Sequence, residues 1–308
     1  MDNKISKRIG YSELVYLLIF AICVIAAVLI YRDSRGYDIV EYTLKTDKDI
    51  PGSVRFVMLS DLHDTDVTHD GNVRLLASID NTKPDFVILA GDMITSYMQP
   101  VYNSDKTFEF LRRLSAGHKV YYGLGNHEQR YKAEPKKFAG KYEELEKLVN
   151  ELGIEFLSDR YIDIEDKNIR IYGFDIPIEK YKRGVRSHLP EGILNSLFGE
   201  ADRDKYDILI AHTPDHFDDY VSFGPDLVLS GHLHGGIIGI PGIGGLISPQ
   251  LKLFPKYDHG RFDRNGVTMI VSRGIGWHSI PIRLFNRAEM VIVTIEPDKK
   301  GNQNGDQR

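Results

Sequence analysis

The run Asp226-Leu227-Val228-Leu229-Ser230-Gly231-His232-Leu233-His234-Gly235-Gly236 sets a short apolar segment directly against a glycine-flanked pair of histidines. In extended chain, residues i and i+2 point the same way, and the glycines let the backbone turn sharply with little side-chain bulk. Both imidazoles can therefore face one small volume. A polar loop that happens to hold histidines would look the same, and a lone His-x-His does not separate the two readings. Other apolar runs do, because they end alike. Val54-Arg55-Phe56-Val57-Met58-Leu59 leads into Ser60-Asp61-Leu62-His63, and Asp85-Phe86-Val87-Ile88-Leu89-Ala90 into Gly91-Asp92. Val120-Tyr121-Tyr122-Gly123-Leu124 leads into Gly125-Asn126-His127-Glu128, and Asp207-Ile208-Leu209-Ile210-Ala211 delivers His212 before Pro214 stops the strand.

Strands written as near-continuous apolar runs, with helices expected at about Val73 to Asp80 and Lys106 to Ser115, imply an α/β fold with a parallel sheet covered on both faces. Ligands in such sheets collect beyond the carboxyl ends of the strands, where Asp61, His63, Asp92, Asn126 and His127 all fall. Lys132 to Glu151 reads as one amphipathic surface helix whose charges are a solvated face. Ile162-Asp163-Ile164 and Asn168 to Phe174 read as a hairpin beginning a second sheet, which strands near Thr268 to Ser272 and Met290 to Ile295 should complete. Val40 to Leu44 alternates as an edge strand does. Ile237 to Ile247 is apolar yet too rich in glycine and proline for a regular element. It reads as a loop over the domain or, in a sharper version, as an apolar lip that meets a lipid or acyl chain.

The chain has 308 residues, is 42% hydrophobic and carries a net charge of −5 with interspersed signs. That balance gives no basic field of the kind nucleic acid requires, so no nucleic-acid partner is expected. Leu14 to Tyr31 is an uncharged run long enough, at about 1.5 Å per residue, to cover roughly 27 Å of a hydrocarbon core. A cleaved signal peptide is the rival reading, but Tyr31-Arg32-Asp33-Ser34 is a poor cleavage sequence. Lys4, Lys7 and Arg8 precede the span, while Arg32 and Arg35 follow it diluted by Asp33 and Asp38. A single-pass cell-membrane protein with its catalytic domain outside the cytoplasm is expected from that bias. The single cysteine, Cys23, lies within the span, so no internal disulfide can form. The expected organisation is a basic tail at 1–10, a transmembrane anchor at 11–31, a linker and edge strand at 32–52, a catalytic domain at 53–296, and a disordered tail at 297–308.

The strand ends together offer imidazole, carboxylate and amide donors but no thiolate, which excludes a Cys-rich structural zinc site. Such a set suits Mn²⁺, Fe or Zn²⁺ without choosing among them. Asp61, His63, Asp92, Asn126, His212, His232 and His234 are too many donors for one open catalytic ion and suit two divalent metal ions that share a ligand. A β-lactamase-type metallohydrolase would need a His-x-His-x-Asp-His run, which is absent.

Asp61-x-His63, Gly91-Asp92, Gly125-Asn126-His127-Glu128, His212 and Gly231-His232-x-His234 resemble, in order, the motifs of the calcineurin-like metallophosphoesterases, over about Val54 to Ile295. The anchor, Leu253 to Asp258 and Pro281 to Asn286 resemble the membrane-anchored bacterial branch, some of whose members act on UDP-2,3-diacylglucosamine or related phosphodiesters. The resemblance implies a four-layer α/β/β/α metallophosphoesterase sandwich preceded by a single transmembrane helix. It implies that Asp61, His63, Asp92 and His234 hold one metal, and that Asp92, Asn126, His212 and His232 hold the other. It further implies phosphodiester or pyrophosphate hydrolysis by a hydroxide between the metals, with His127 as proton donor to the leaving oxygen. Where many members have aspartate this chain has Glu128, an acid expected to orient His127. His259 and His278 are candidate substrate contacts, and His118 is expected to be structural. A phosphoester substrate, lipid-linked in the fullest version, is the expected partner. The alternative is a catalytically silent, membrane-anchored binding module on the same scaffold, but such modules lack ligands and every ligand position here is filled.

Overall fold

In the computed structural model, which describes residues 10–96, 104–181, 188–236, 238–240, 244–247, 253–277 and 282–298, the chain begins with helix α1 (Tyr11–Asp33) and edge strand β1 (Tyr37–Thr46). The tail through Ile9, His278 and the tail from Lys299 lie outside the described residues. The apolar runs become β2 (Val54–Leu59), β3 (Phe86–Ala90) and β4 (Val120–Gly123), alternating with α2 (Val73–Thr82), α3 (Asp105–Gly117) and α4 (Asn126–Ala133). Next come α5 (Lys141–Glu151), β5 (Glu155–Leu157), β6 (Arg160–Ile164), β7 (Ile169–Gly173), α6 (Ile193–Phe198), β8 (Tyr206–Ile210), α7 (Phe217–Phe223) and β9 (Leu227–Ser230). A hairpin of β10 (Ile238–Ile240) and β11 (Gly244–Ile247) precedes β12 (Gly260–Arg264), β13 (Val267–Val271) and β14 (Ala288–Pro297).

Two large sheets follow, ordered β1-β14-β2-β3-β4-β5 and β12-β13-β9-β8-β7-β6. The alternation within each strand explains their stacking. Val57, Leu59, Val87, Leu89 and Tyr122 face one way, onto Leu75 and Ile79 of α2, Phe110, Leu111 and Leu114 of α3, and Leu145 of α5. Phe56, Met58, Phe86 and Ile88 face the other way and meet Ile169, Ile171, Ile208, Ile210, Leu227 and Leu229 of the second sheet. The outer face of that sheet, with Tyr172, Leu209, Val228 and Met269, is covered by α6 and α7 through Leu194, Phe198, Phe217, Tyr220 and Phe223. The layers are helix, sheet, sheet, helix. Because β2, β3 and β4 run parallel in one sheet and β7, β8, β9 and β13 in the other, the carboxyl ends that bear the polar motifs gather at one rim.

Three expectations are corrected. The strand near Met290 to Ile295 does not complete the second sheet. It is β14 of the first, antiparallel to β2 and parallel to β1. Both faces of that strand are buried, so its pattern carries no mark of which sheet takes it. Lys132 to Glu151 is not one helix, because α4 ends at Ala133, Pro135 follows, and Gly140 (φ +74°) starts α5. The Ile237 to Ile247 stretch is in part regular, since Gly239 pairs with Gly245 and Ile240 with Gly244 in antiparallel register.

Asp207, on β8, is buried with Oδ1 lacking a hydrogen-bond partner. Burial pushes its carboxyl up to about 7, with Asp226 adding to the rise and Lys48 opposing it. The folded chain therefore binds a proton that the unfolded chain releases near pH 4, and stability falls as pH rises between those values. Replacing Asp207 by Asn should raise the thermal midpoint at pH 8 and leave it nearly unchanged at pH 4. Equal midpoints at pH 8 in calorimetry would contradict this.

Candidate metal centre

Each polar motif starts where its strand stops, and at three of the five the backbone turns through the left-handed region. Asp61 (φ 55°), His63 (φ 50°), Asp92 (φ 52°), His232 (φ 70°) and His234 (φ 51°) all adopt it, at roughly 1–2 kcal/mol per residue. Neighbouring strand ends hold these turns by lacing together. Asp61 N donates to Gly91 O (2.9 Å), His63 N to Asp92 O (3.1 Å), and Gly231 N to His212 O (2.9 Å). Two glycines let the backbone come close to the carboxylates. A Cβ on Gly125 would lie 2.2 Å from Asp92 Oδ1, and one on Gly231 would lie 2.2 Å from Asp61 Oδ2.

The result is a buried cluster. Asp61, His63 and His234 place ligand atoms within 4.8 Å of one another, as do Asp92, His212 and His232, and as do His63, Asp92 and His127. His63 Nε2 lies 3.2 Å from His234 Nε2, His234 Nε2 3.3 Å from Asp61 Oδ1, and His212 Nε2 3.0 Å from Asp92 Oδ2. Two donors each about 2.1 Å from one ion stand roughly 3.0–3.4 Å apart, so these separations fit a shared cation. Asn126 Oδ1 is buried with no hydrogen-bond partner, an amide oxygen left for a ligand. His212 Nδ1 lies 2.7 Å from the Ala90 carbonyl, which fixes the proton there and leaves Nε2 as a lone-pair donor.

Without a cation the buried carboxylates draw positive charge from protons on the facing rings, His212 Nε2 included. Burial lifts Asp61 to about 6. Burial also works against Asp92, yet His212, His127 and His63 hold it well below the usual carboxylate range. Burial would lower His212, but the facing carboxylates of Asp92 and Asp61 overcome it and push the ring up to about 10. Two carboxylates buried this deeply draw positive charge to themselves, whether from imidazolium or from a metal cation.

Glu128 does not orient His127. Its carboxylate accepts from the backbone N–H groups of Asp92 (2.9 Å), Met93 (2.9 Å), Ile94 (3.3 Å) and Gly125 (2.9 Å) and from the Tyr122 hydroxyl (2.7 Å). The acid fastens the turn that presents Asp92. Burial and the Asp92 charge push it up to about 7 while its donors pull the other way. His127 is held by Ser96 instead, whose backbone N–H donates to Nδ1 (2.7 Å). That bond places the ring proton on Nε2, 4.0 Å from Asp92 Oδ2. His118 is paired with Asp80 at 2.7 Å, on α2, and His259 with Asp258 at 3.0 Å; neither belongs to the donor groups. The sequence did not mark Tyr181, whose ring centroid lies 5.0 Å from that of His232. Nor did it mark Asn286 as the side chain that donates to the His234 carbonyl (2.6 Å).

Buried imidazoles and carboxylates converging at the strand ends of an α/β/β/α sandwich define a metal-dependent hydrolase. The family model for calcineurin-like phosphoesterase matches residues 54–236, more than half of the chain, and the chain belongs to that family of phosphoester hydrolases. An uncharacterized metallophosphoesterase of Aquifex aeolicus is 29% identical over 265 residues, 85% of this chain and 92% of the relative. A zebrafish (Danio rerio) relative named transmembrane protein with metallophosphoesterase domain is 25% identical over 268 residues, 79% of this chain but 53% of its own length. Among solved structures, a dimetal phosphatase from Danio rerio is 13% identical, with a TM-score of 0.42, covering 78% of this chain and 98% of the other.

Replacing Glu128 by Gln sets an amide NH₂ against backbone donors, so the Asp92 turn should loosen. Unfolding free energy should fall by about 2–3 kcal/mol, and the metal content of the purified protein should fall with it. Full metal content at unchanged stability would contradict this role.

Proposed function

We propose that the chain is a membrane-anchored phosphoesterase that uses two divalent cations to hydrolyse a phosphodiester or pyrophosphate in a lipid-linked substrate, such as a UDP-diacylglucosamine-like glycolipid. The observation that carries the reading is the position of Asp92 Oδ2, 3.0 Å from His212 Nε2 on one side and 3.9 Å from His63 Nε2 on the other. In this reading Asp61, His63, Asp92 and His234 hold one ion, Asp92, Asn126, His212 and His232 hold the second, and Asp92 is shared. When bound, the ions supply positive charge for the phosphoryl oxygens and lower the pKa of an attacking water. The donors leave the identity of the metal, Mn²⁺, Fe or Zn²⁺, open to elemental analysis.

The chain's own contribution to proton transfer is His127. With Nδ1 accepting from Ser96 N–H, the imidazole holds its proton on Nε2 at the edge of the cluster and delivers it to the leaving oxygen. The lipid assignment is supported by α1, a 23-residue apolar helix whose membrane-length stretch has no buried residue. The membrane anchor is supported further by the zebrafish relative's name, transmembrane protein with metallophosphoesterase domain. The amino-terminal lysines and arginine favour an extracytoplasmic catalytic domain of residues 53–296.

Asp92→Asn should abolish hydrolysis of a chromogenic phosphodiester with added Mn²⁺, and unchanged turnover would refute the shared-ligand reading. His127→Ala should lower turnover of an alkyl phosphodiester by about 10²–10⁴-fold. It should affect a nitrophenyl ester far less, because that leaving group needs no proton. Equal losses on both substrates would remove His127 from the acid role.

A further inference from the structure

Among the described residues outside α1, the large apolar side chains left exposed include Leu253 (67%), Phe254 (58%), Ile282 (43%) and Phe285 (47%). These four occur as two pairs brought together by the β10–β11 hairpin. Phe254 N donates to Leu246 O of β11 (3.0 Å), and Gly239 N of β10 donates to Leu284 O (2.9 Å). Hydrogen-bonded backbone thus ties the two exposed pairs to the two strands of one hairpin, forming an apolar rim.

The rim is fastened to the end of α1. The fully buried Asp33 accepts through Oδ2 from Phe285 N (2.7 Å), and Ser34 Oγ accepts from Arg283 N (2.9 Å). Arg287 adds a bond to Asp38 (2.6 Å) just beyond. Asp33 lies two residues past Tyr31, the last residue of the uncharged run, which at 1.5 Å per residue is about 3 Å along the helix axis. A bilayer crossed by α1 therefore ends at the level of Phe285. On its other side the rim meets the site, because Asn286 donates to the carbonyls of His234 and Gly236.

We infer that Leu253, Phe254, Ile282 and Phe285 form a docking surface for the lipid bilayer that α1 crosses, holding the His234 edge of the metal cluster beside the headgroup layer. The inference rests on α1 being a span. Its partner is the membrane surface because the rim is hydrogen-bonded to the helix end at the depth where that surface lies. Side chains of this kind at an interface penetrate about 5–10 Å into the headgroup and acyl boundary.

The test uses the full chain reconstituted into phosphatidylethanolamine and phosphatidylglycerol vesicles, with the single native tryptophan removed by Trp277→Phe. Phe254→Trp and Phe285→Trp are then compared with Leu197→Trp on α6, each checked for native circular dichroism. Lipids brominated near the headgroup end of the acyl chains should quench emission at 254 and 285 by about half or more, and at 197 hardly at all. Carbonate washing reports separately on the anchor. A chain released by the wash overturns the span and the inference together. A retained chain with quenching at 254 and 285 no greater than at 197 overturns the docking surface alone. As a second readout, Phe254→Glu with Phe285→Glu should reduce turnover of a vesicle-borne phosphodiester several-fold and leave a soluble nitrophenyl phosphodiester unchanged. Equal effects on both substrates would also overturn it.

Discussion

Everything at this rim depends on keeping the Asp61 and Asp92 carboxylates out of water and close to imidazole rings. Both side chains are almost fully buried, and an unpaired carboxylate in such surroundings is penalised by several kcal/mol. The fold meets that penalty with positive charge and with oriented donors. His232 N–H donates to Asp61 (3.1 Å) and His127 N–H to Asp92 (2.8 Å). The five left-handed residues, spread over three turns, are part of the same arrangement. Each would be strained in isolation, and each persists because the hydrogen bonds of adjacent strand ends determine it from both sides. Strain at these positions turns separate stretches of backbone toward one point.

The site is built from two sheets, which explains why the sandwich must pack as it does. Asp61, His63, Asp92 and Asn126 come from the ends of β2 and β3 and the start of α4. His212, His232 and His234 come from the ends of β8 and β9. The core between the sheets, with Phe56 stacked on Phe86 at 5.2 Å against Ile208 and Leu229, sets the spacing between those two groups of donors. Glu128 then locks the Asp92 turn to the start of α4. A second-layer acid here serves backbone geometry, and the histidine beside it is oriented by a main-chain donor.

Much of this was legible in the sequence for a local reason. A buried parallel strand is a continuous apolar run, and its end is marked by whatever polar residue follows, so Asp61, Asp92, Asn126, His212 and His232 could be placed at strand ends residue by residue. What escaped depends on contacts distant in sequence. The apolar residues of β14 fit either sheet, and only its pairing with β1 and β2 decides. The charges between Lys132 and Glu151 hid a break that Pro135 and Gly140 impose. The longer acid at Glu128 suggested reach toward its neighbour His127, whereas the helix directs it to the backbone of residues 92–94. Asn286 and Arg283 serve the site from a loop some fifty residues downstream of His234, a stretch whose sequence resembled one branch of the family but pointed to no contact with the metal ligands. The Arg283 guanidinium there donates to the Gly274 and Gly276 carbonyls, and no periodicity could report that.

In the proposed reaction two cations would share the Asp92 carboxylate. Electron paramagnetic resonance of the purified chain loaded with Mn²⁺ tests it most directly, because ions about 3.5–4 Å apart across a common ligand are magnetically coupled. The account requires a multiline spectrum of an exchange-coupled pair that disappears in Asp92→Asn. A six-line signal of isolated Mn²⁺ at full loading of the wild-type protein would contradict it.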